Sequence, residues 1–188
     1  MRKILLIYSL IIIVFTSLIQ AQEATKQEKG FFNITEAGLF LGGNDRRVQV
    51  APTTFVSTFD NVNVRSLRNI SGVFLTRRIS LGLGIGLDGI QVQKGPFYNT
   101  FVVFADGRYY FKKDDDGYFA YGDLGSAIPI DNGFQKGLMV NVGGGYKFMI
   151  SGHTAMNASV GYNEQKIVTS SNVKQRVPSL AFKVGLMF

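Results

Sequence analysis

Three groups of residues have types and spacings that could do chemistry. Asp114-Asp115-Asp116-Gly117 sets three carboxylates beside a turn-forming glycine, as a calcium loop begins, but such a loop needs a glutamate at its twelfth position and Gly125 stands there. A solvated turn is the reading that remains. Gly82, Gly84 and Gly86 are spaced like a phosphate-cradling loop, yet that fingerprint requires a helix after the strand, and no helical periodicity follows. His153 is the single histidine and the chain has no cysteine, so no serine or thiol nucleophile has a base beside it. No catalytic residue, metal site or cofactor is expected. The third group is Glu36, Asp88, Asp106, Arg108, Asp123, Asn141, Lys147 and Lys183, polar residues that recur on one parity of alternating segments, interleaved with glycine. Brought together they would form acid–base pairs, and structural ion pairs account for such pairs better than catalysis does.

These residues must be positioned by strands, because apolar and polar residues alternate in segment after segment and no amphipathic helix of useful length is found. The closing segment Pro178–Phe188 is the clearest example. Leu180, Phe182, Val184, Leu186 and Phe188 share one parity, and Ser179, Ala181, Lys183 and Gly185 share the other. Seven further strands are expected at Phe31–Gly42, Val64–Leu75, Ile79–Val92, Tyr98–Phe111, Tyr118–Ile128, Gln135–Ile150 and Thr154–Lys166. In Val64–Leu75 polarity is weak, and the odd set (Leu67, Asn69, Ser71, Val73, Leu75) is read as the outward one. Gly43–Asn63, with Arg46-Arg47 and Pro52, reads as the largest loop, and Ile167–Gln175 as a second polar loop.

The amino terminus has a different character. Arg2-Lys3, the apolar run Ile4–Ile19 and Gln20-Ala21-Gln22 form an export signal cut after Ala21, so residues 1–21 are expected to be removed and 22–30 to form a short polar leader. Taking Arg2 and Lys3 from 20 basic residues leaves 18 against 13 acidic, a net charge of +5. The basic residues are scattered among strands, which argues against nucleic acid as a partner.

Volume decides which face points inward. An eight-stranded barrel is only just wide enough for side chains to fill its interior, and the parity rich in glycine fits there better than the one carrying Leu81, Leu83, Ile85, Phe101, Leu138 and Phe182. The apolar face then meets lipid and the charged face a plugged lumen. The expected architecture is all-β, an eight-stranded antiparallel transmembrane up-and-down barrel over residues 31–188, with short turns after strands two, four and six on the periplasmic side. Phe31, Tyr109, Phe111, Tyr118, Phe148 and Phe188 fall on outward positions at that end, where amphipathic rings gather at a bilayer interface. At the opposite rim Arg46, Arg47, Lys174 and Arg176 are candidates for contact with lipopolysaccharide phosphates.

Gly30-Phe-Phe-Asn-Ile-Thr-Glu36, Leu81-Gly-Leu-Gly-Ile-Gly86, Ala105-Asp-Gly-Arg-Tyr-Tyr-Phe111 and Gly144-Gly-Tyr-Lys-Phe148, in that order and ahead of a terminal Phe188, resemble the outer-membrane protein beta-barrel domain family of small OmpA/OmpX-like barrels. The resemblance covers essentially all of 31–188. It implies residence in the outer membrane of a Gram-negative cell, and recognition of Phe182, Leu186 and Phe188 by the barrel-assembly machinery. Members serve varied roles, so a non-enzymatic structural or surface-interaction role is the leading expectation. A narrow solute channel and a soluble periplasmic ligand-binding barrel are the alternatives.

Overall fold

A computed structural model describes residues 30–51, 54–92, 97–113, 116–130, 134–135, 137–152, 154–169 and 174–188. The export signal, the leader up to residue 29, His153, Asp114 and Asp115 lie outside the described residues. The strands are β1 (Phe31–Ala51), β2 (Thr54–Phe74), β3 (Ile79–Val92), β4 (Phe97–Tyr110), β5 (Gly117–Pro129), β6 (Phe134–Gln135), β7 (Gly137–Ser151), β8 (Thr154–Thr169) and β9 (Lys174–Met187). β6 pairs with β8, as β7 does, and so continues that stave of the barrel. Each long strand pairs antiparallel with the next, and β9 pairs with both β8 and β1, which closes an eight-stave up-and-down barrel. At the seam Asn33 and Phe188 exchange backbone hydrogen bonds, Asn33 N–H to Phe188 O at 2.9 Å and Phe188 N–H to Asn33 O at 2.8 Å.

Alternation along each strand sorts the side chains. On β3 the exposed Leu81, Leu83, Ile85 and Leu87 alternate with the inward Gly82, Gly84, Gly86 and Asp88. On β2, Leu67 and Ser71 are exposed while Arg68 and Ile70 are buried, which gives the outward set read from sequence. The exterior is a continuous apolar belt, with Leu83 73% and Val184 53% exposed. Below it stand Phe31, Tyr109, Phe111, Tyr118 and Tyr146, the pairs Tyr109–Phe111 and Tyr118–Tyr146 meeting edge to face at 5.4 and 4.9 Å. A soluble barrel would have these faces reversed, so that alternative fails. Leu83→Arg is expected to lower stability in a bilayer by about 2–4 kcal/mol, the cost of a cation on the lipid face near the midplane, as read by urea titration in lipid vesicles.

Two expectations need correction. Gly43–Asn63 is not a loop: β1 and β2 run on as a paired ribbon, Arg47 opposite Ser57 and Val48 opposite Val56, with only residues 52–53 between the strands. The ends of Ile167–Gln175 are likewise ladder, with Ile167 opposite Gln175 and Val168 opposite Lys174, residues 170–173 lying outside the described residues. Charge and proline mimic a loop here, but two facing strands satisfy one another's backbone groups whatever their side chains. Among the described residues, the two ends of the barrel therefore differ in strand overhang.

The interior is also less glycine-dominated than its sequence parity suggests. Phe32, Ile34, Ile70, Phe74, Phe104, Tyr110, Phe119 and Tyr121 are buried in one apolar layer, and Phe40, Val62, Val64, Ile90 and Val177 in another nearer the ribbon end. The inward glycines are sockets for these rings. A Cβ on Gly145 would come within 2.7 Å of the Phe119 ring, one on Gly143 within 2.8 Å of Tyr121, and one on Gly84 would fall inside the ring of Phe104.

Candidate functional site

Between the two apolar layers lies the polar interior, built from every long strand. Glu36 comes from β1, Ser66 and Arg68 from β2, Asp88 from β3, Asp106 and Arg108 from β4, Asp123 from β5, Asn141 and Lys147 from β7, Asn157, Asn163 and Gln165 from β8, and Ser179 and Lys183 from β9. All are buried, Asn141 and Lys147 completely. Their alternation with outward apolar residues is what turns them inward, and the closure of the sheet is what makes them meet.

The contacts form two linked clusters. In the first, Arg68 Nη2 donates to Asp88 Oδ2 at 2.9 Å and Arg68 Nε to Ser66 Oγ at 3.0 Å, while Ser66 Oγ and Gln165 Nε2 each donate to Asp88 at 2.5 Å. In the second, Arg108 Nε donates to both Asp106 oxygens at 3.1 Å and Arg108 Nη2 to Glu36 Oε1 at 2.8 Å, and Lys183 Nζ lies 3.2 Å from Glu36 Oε2. Asp123 joins them, 3.7 Å from Arg68 Nη1 and 3.5 Å from Lys183 Nζ. The cations are also faced by rings: Arg68 by Phe40 and Phe104 at 5.0 and 5.3 Å, Lys183 by Tyr121 at 3.8 Å, Arg108 by Phe119 and Lys147 by Tyr110 at 5.5 Å. Such contacts add to the ion pairs where water is excluded.

The charge balance matters most. The buried ionisable acids and bases among the described residues are Glu36, Asp88, Asp106 and Asp123 against Arg68, Arg108, Lys147 and Lys183. The eight groups carry no formal net charge; Arg68, Arg108 and Lys183 each lie against carboxylates, and Lys147 faces the Tyr110 ring. Among the described residues no group of three or more His, Cys, Asp or Glu is placed to hold a metal.

The eight polar positions proposed from sequence all lie in this interior, where Arg108 pairs with Asp106. Asp88 is held by Arg68, a residue left out of the sequence-based set, and Lys183 by Glu36 and Asp123. Arg68 was hidden because its inward companions Ile70 and Phe74 are apolar while outward Asn69 and Ser71 are polar. Those outward groups satisfy one another: Asn33 Nδ2 donates to Asn69 Oδ1 at 3.0 Å and to Ser71 Oγ at 2.9 Å, and Asn69 Nδ2 to Thr35 Oγ1 at 3.0 Å. At the ribbon end the ladder places Arg47 opposite Lys174, Arg46 opposite Gln175 and Asp45 opposite Arg176, so the four proposed rim cations sit on one pair of strands. Of these four side chains, Arg176 is exposed and the other three fall outside the described set. Phe182 and Leu186 face outward on β9, and Phe188 is half-buried at the seam.

A closed antiparallel sheet of eight staves, greasy outside and charge-compensated within, defines a transmembrane β-barrel. The fold is similar to the crystal structure of Neisserial surface protein A (NspA), with a TM-score of 0.55 and 15% identity over 84% of this chain and 97% of that one. A second similar structure is the outer membrane protein OprG from Pseudomonas aeruginosa, with a TM-score of 0.48 and 14% identity over 87% of this chain and 97% of that one. No protein-family model matches the chain, and no curated protein matches it in sequence.

Proposed function

We propose that the chain is a non-enzymatic barrel of the Gram-negative outer membrane, closed to solutes, whose role is surface interaction through its projecting ribbon. The observation that carries this reading is the contrast between the two ends of β1 and β2. Within the membrane they enclose a lumen filled by the ion network and its two apolar layers; beyond it they continue as a ladder to Ala51 and Thr54. Thr54–Phe59 extend past Val92, where β3 stops, leaving that edge of the ribbon with no strand partner among the described residues. An unpaired edge offers backbone donors and acceptors to an extended segment of another protein. Arg46, Arg47, Lys174 and Arg176 on the adjoining ladder would meet lipopolysaccharide phosphates where the ribbon leaves the bilayer, and Phe182, Leu186 and Phe188 would present the assembly signal from the opposite end of the molecule.

Planar-bilayer recording tests the closed lumen: the reconstituted barrel is expected to give no steady openings. Replacing residues 46–58 by an Asn-Gly turn should leave that silence and heat-modifiable migration intact, since the ribbon lies outside the packed interior. A narrow solute pathway is the second reading. It is favoured by the buried amide of Asn157, whose Nδ2 and Oδ1 both have no hydrogen-bond partner, and by Asn141 Nδ2. Water could satisfy these groups. Steady unitary conductance would move the assignment to it.

A further inference from the structure

Four outward residues of β1 and β2 are polar where the surrounding lipid face is apolar. The ladder sets Asn33 opposite Ser71 and Thr35 opposite Asn69, so the four form one block on the outer wall. Asn33 and Thr35 are the next outward positions after Phe31 of the aromatic girdle, about 7 and 13 Å further along the strand. Strand tilt shortens that depth but keeps the block among acyl chains. The two amides use every proton they have: Asn33 Nδ2 donates to Asn69 Oδ1 and Ser71 Oγ, and Asn69 Nδ2 to Asn33 Oδ1 at 2.8 Å and to Thr35 Oγ1. Both hydroxyls therefore accept within the block, and each keeps a proton that meets no acceptor among the described residues. Acyl chains supply none, and a polar group left unpaired in hydrocarbon is costly.

The wall differs on the two sides of this block. Towards β9 it projects, with Leu186 exposed and opposite Thr35 on the ladder. Towards β3 it recedes: beyond Ser71 a trough of about 450 Å³ opens between Phe31, Val73, Leu81 and Leu83, with the small Ala105 on its β4 side. Projection, polar block and recess thus follow one another across neighbouring strands. A two-fold axis along the membrane normal and through the block lays block on block and brings Leu186 of each copy to the trough of the other. The same rotation offers the hydroxyl protons of one copy the amide and hydroxyl oxygens of the other, each of which has a second lone pair to accept with.

We propose that this wall is an isologous interface through which two copies of the chain pair side by side in the membrane. Self-complementarity selects the occupant. A two-fold interface must present donor with acceptor and projection with recess on one and the same patch, and this wall does both. The block is uncharged, so nothing in it selects an anionic headgroup. Hydrocarbon gives membrane-embedded proteins no hydrophobic drive to associate, which leaves close packing and hydrogen bonds to hold them together. Those are the two things the trough and the block supply. The pairing involves neither ribbon nor lumen, and it would persist if the barrel proved to conduct.

Because the chain has no cysteine, Arg78→Cys on the exposed β2–β3 turn gives a single labelling site. Donor- and acceptor-labelled barrels are folded together into phosphatidylcholine vesicles, and energy transfer is followed as lipid is added. Transfer should persist at dilutions where randomly placed barrels give none, and excess unlabelled barrel should remove it. Asn33→Leu, Thr35→Val, Asn69→Leu and Ser71→Ala together make the block apolar. That variant should still fold, as heat-modifiable migration reports, while association weakens by roughly tenfold or more. Leu186→Ala should weaken association in part, and Leu124→Ala, on the outer face of β5 away from the block, should leave it unchanged. Wild-type barrels that stay monomeric would overturn the pairing and assign the wall to a lipid or another protein. Unchanged association in the folded block variant, or equal losses from Leu124→Ala and Leu186→Ala, would overturn it as well.

Discussion

Arg108→Met should lower the stability of the folded barrel by about 3–5 kcal/mol, the range found when one partner of a buried ion pair is removed. Arg108 is the sole described cation hydrogen-bonded to Asp106, and one of two holding Glu36. Without it the interior has four carboxylates and three cations, and Asp106 is left charged and desolvated beside the aromatic layer. Equilibrium unfolding in urea, in detergent or lipid vesicles, is the measurement. The diagnostic comparison is Arg108→Met with Asp106→Asn. That double variant restores equal numbers of opposite charges while Glu36 keeps Lys183, so it should recover more than half of the loss. A double variant no more stable than the single one would show that side-chain packing around Arg108, and not charge balance, carries the effect.

Gly84→Phe should abolish the heat-modifiable folded form altogether. Gly84 faces Phe104 across the β3–β4 ladder, and the Phe104 ring occupies the volume a side chain at 84 would need. Because Phe104 is itself buried, its ring has no free space to swing into. Even Gly84→Ala should cost about 1–3 kcal/mol, as overpacking of a filled interior does. Exchanging the two residues, Gly84→Phe with Phe104→Gly, puts ring and socket on opposite strands at the same level and should restore a folded band on a semi-native gel. Failure of the exchange, with Gly84→Phe still folding, would mean that the glycines serve curvature rather than accommodation of rings.

These two results bear on different parts of what the sequence makes legible. Parity alone turns Glu36, Asp106, Arg108, Lys147 and Lys183 inward, because a strand has only two faces and outward neighbours such as Leu83, Val103 and Val184 are unambiguous. Hydropathy does not separate an inward phenylalanine from an outward leucine, which is why Phe32 and Phe119 of the ring layer are not legible in it. The signal that could have found it is pairwise: an aromatic across the ladder from, or beside, an inward glycine, as at Gly84 opposite Phe104 and Gly145 opposite Phe119. Arg68 escaped because its strand carries polar groups on both faces. The ribbon escaped for a different reason. Asp45, Arg46, Arg47 and Pro52 look like loop residues, whereas the pairing of β1 with β2 depends on backbone groups that composition does not display.

The seam between Asn33 and Phe188 has a consequence for biogenesis. Strands β1 and β9 are the most distant in sequence of any pair in the sheet, yet each supplies the other's edge. Contacts of such high sequence separation form late and slowly, since the entropy of looping the intervening chain must be overcome before any of them is made. Until then the chain carries two raw sheet margins beside its oily residues, so the interval before the seam closes is the one in which the topology leaves it open to edge-to-edge association.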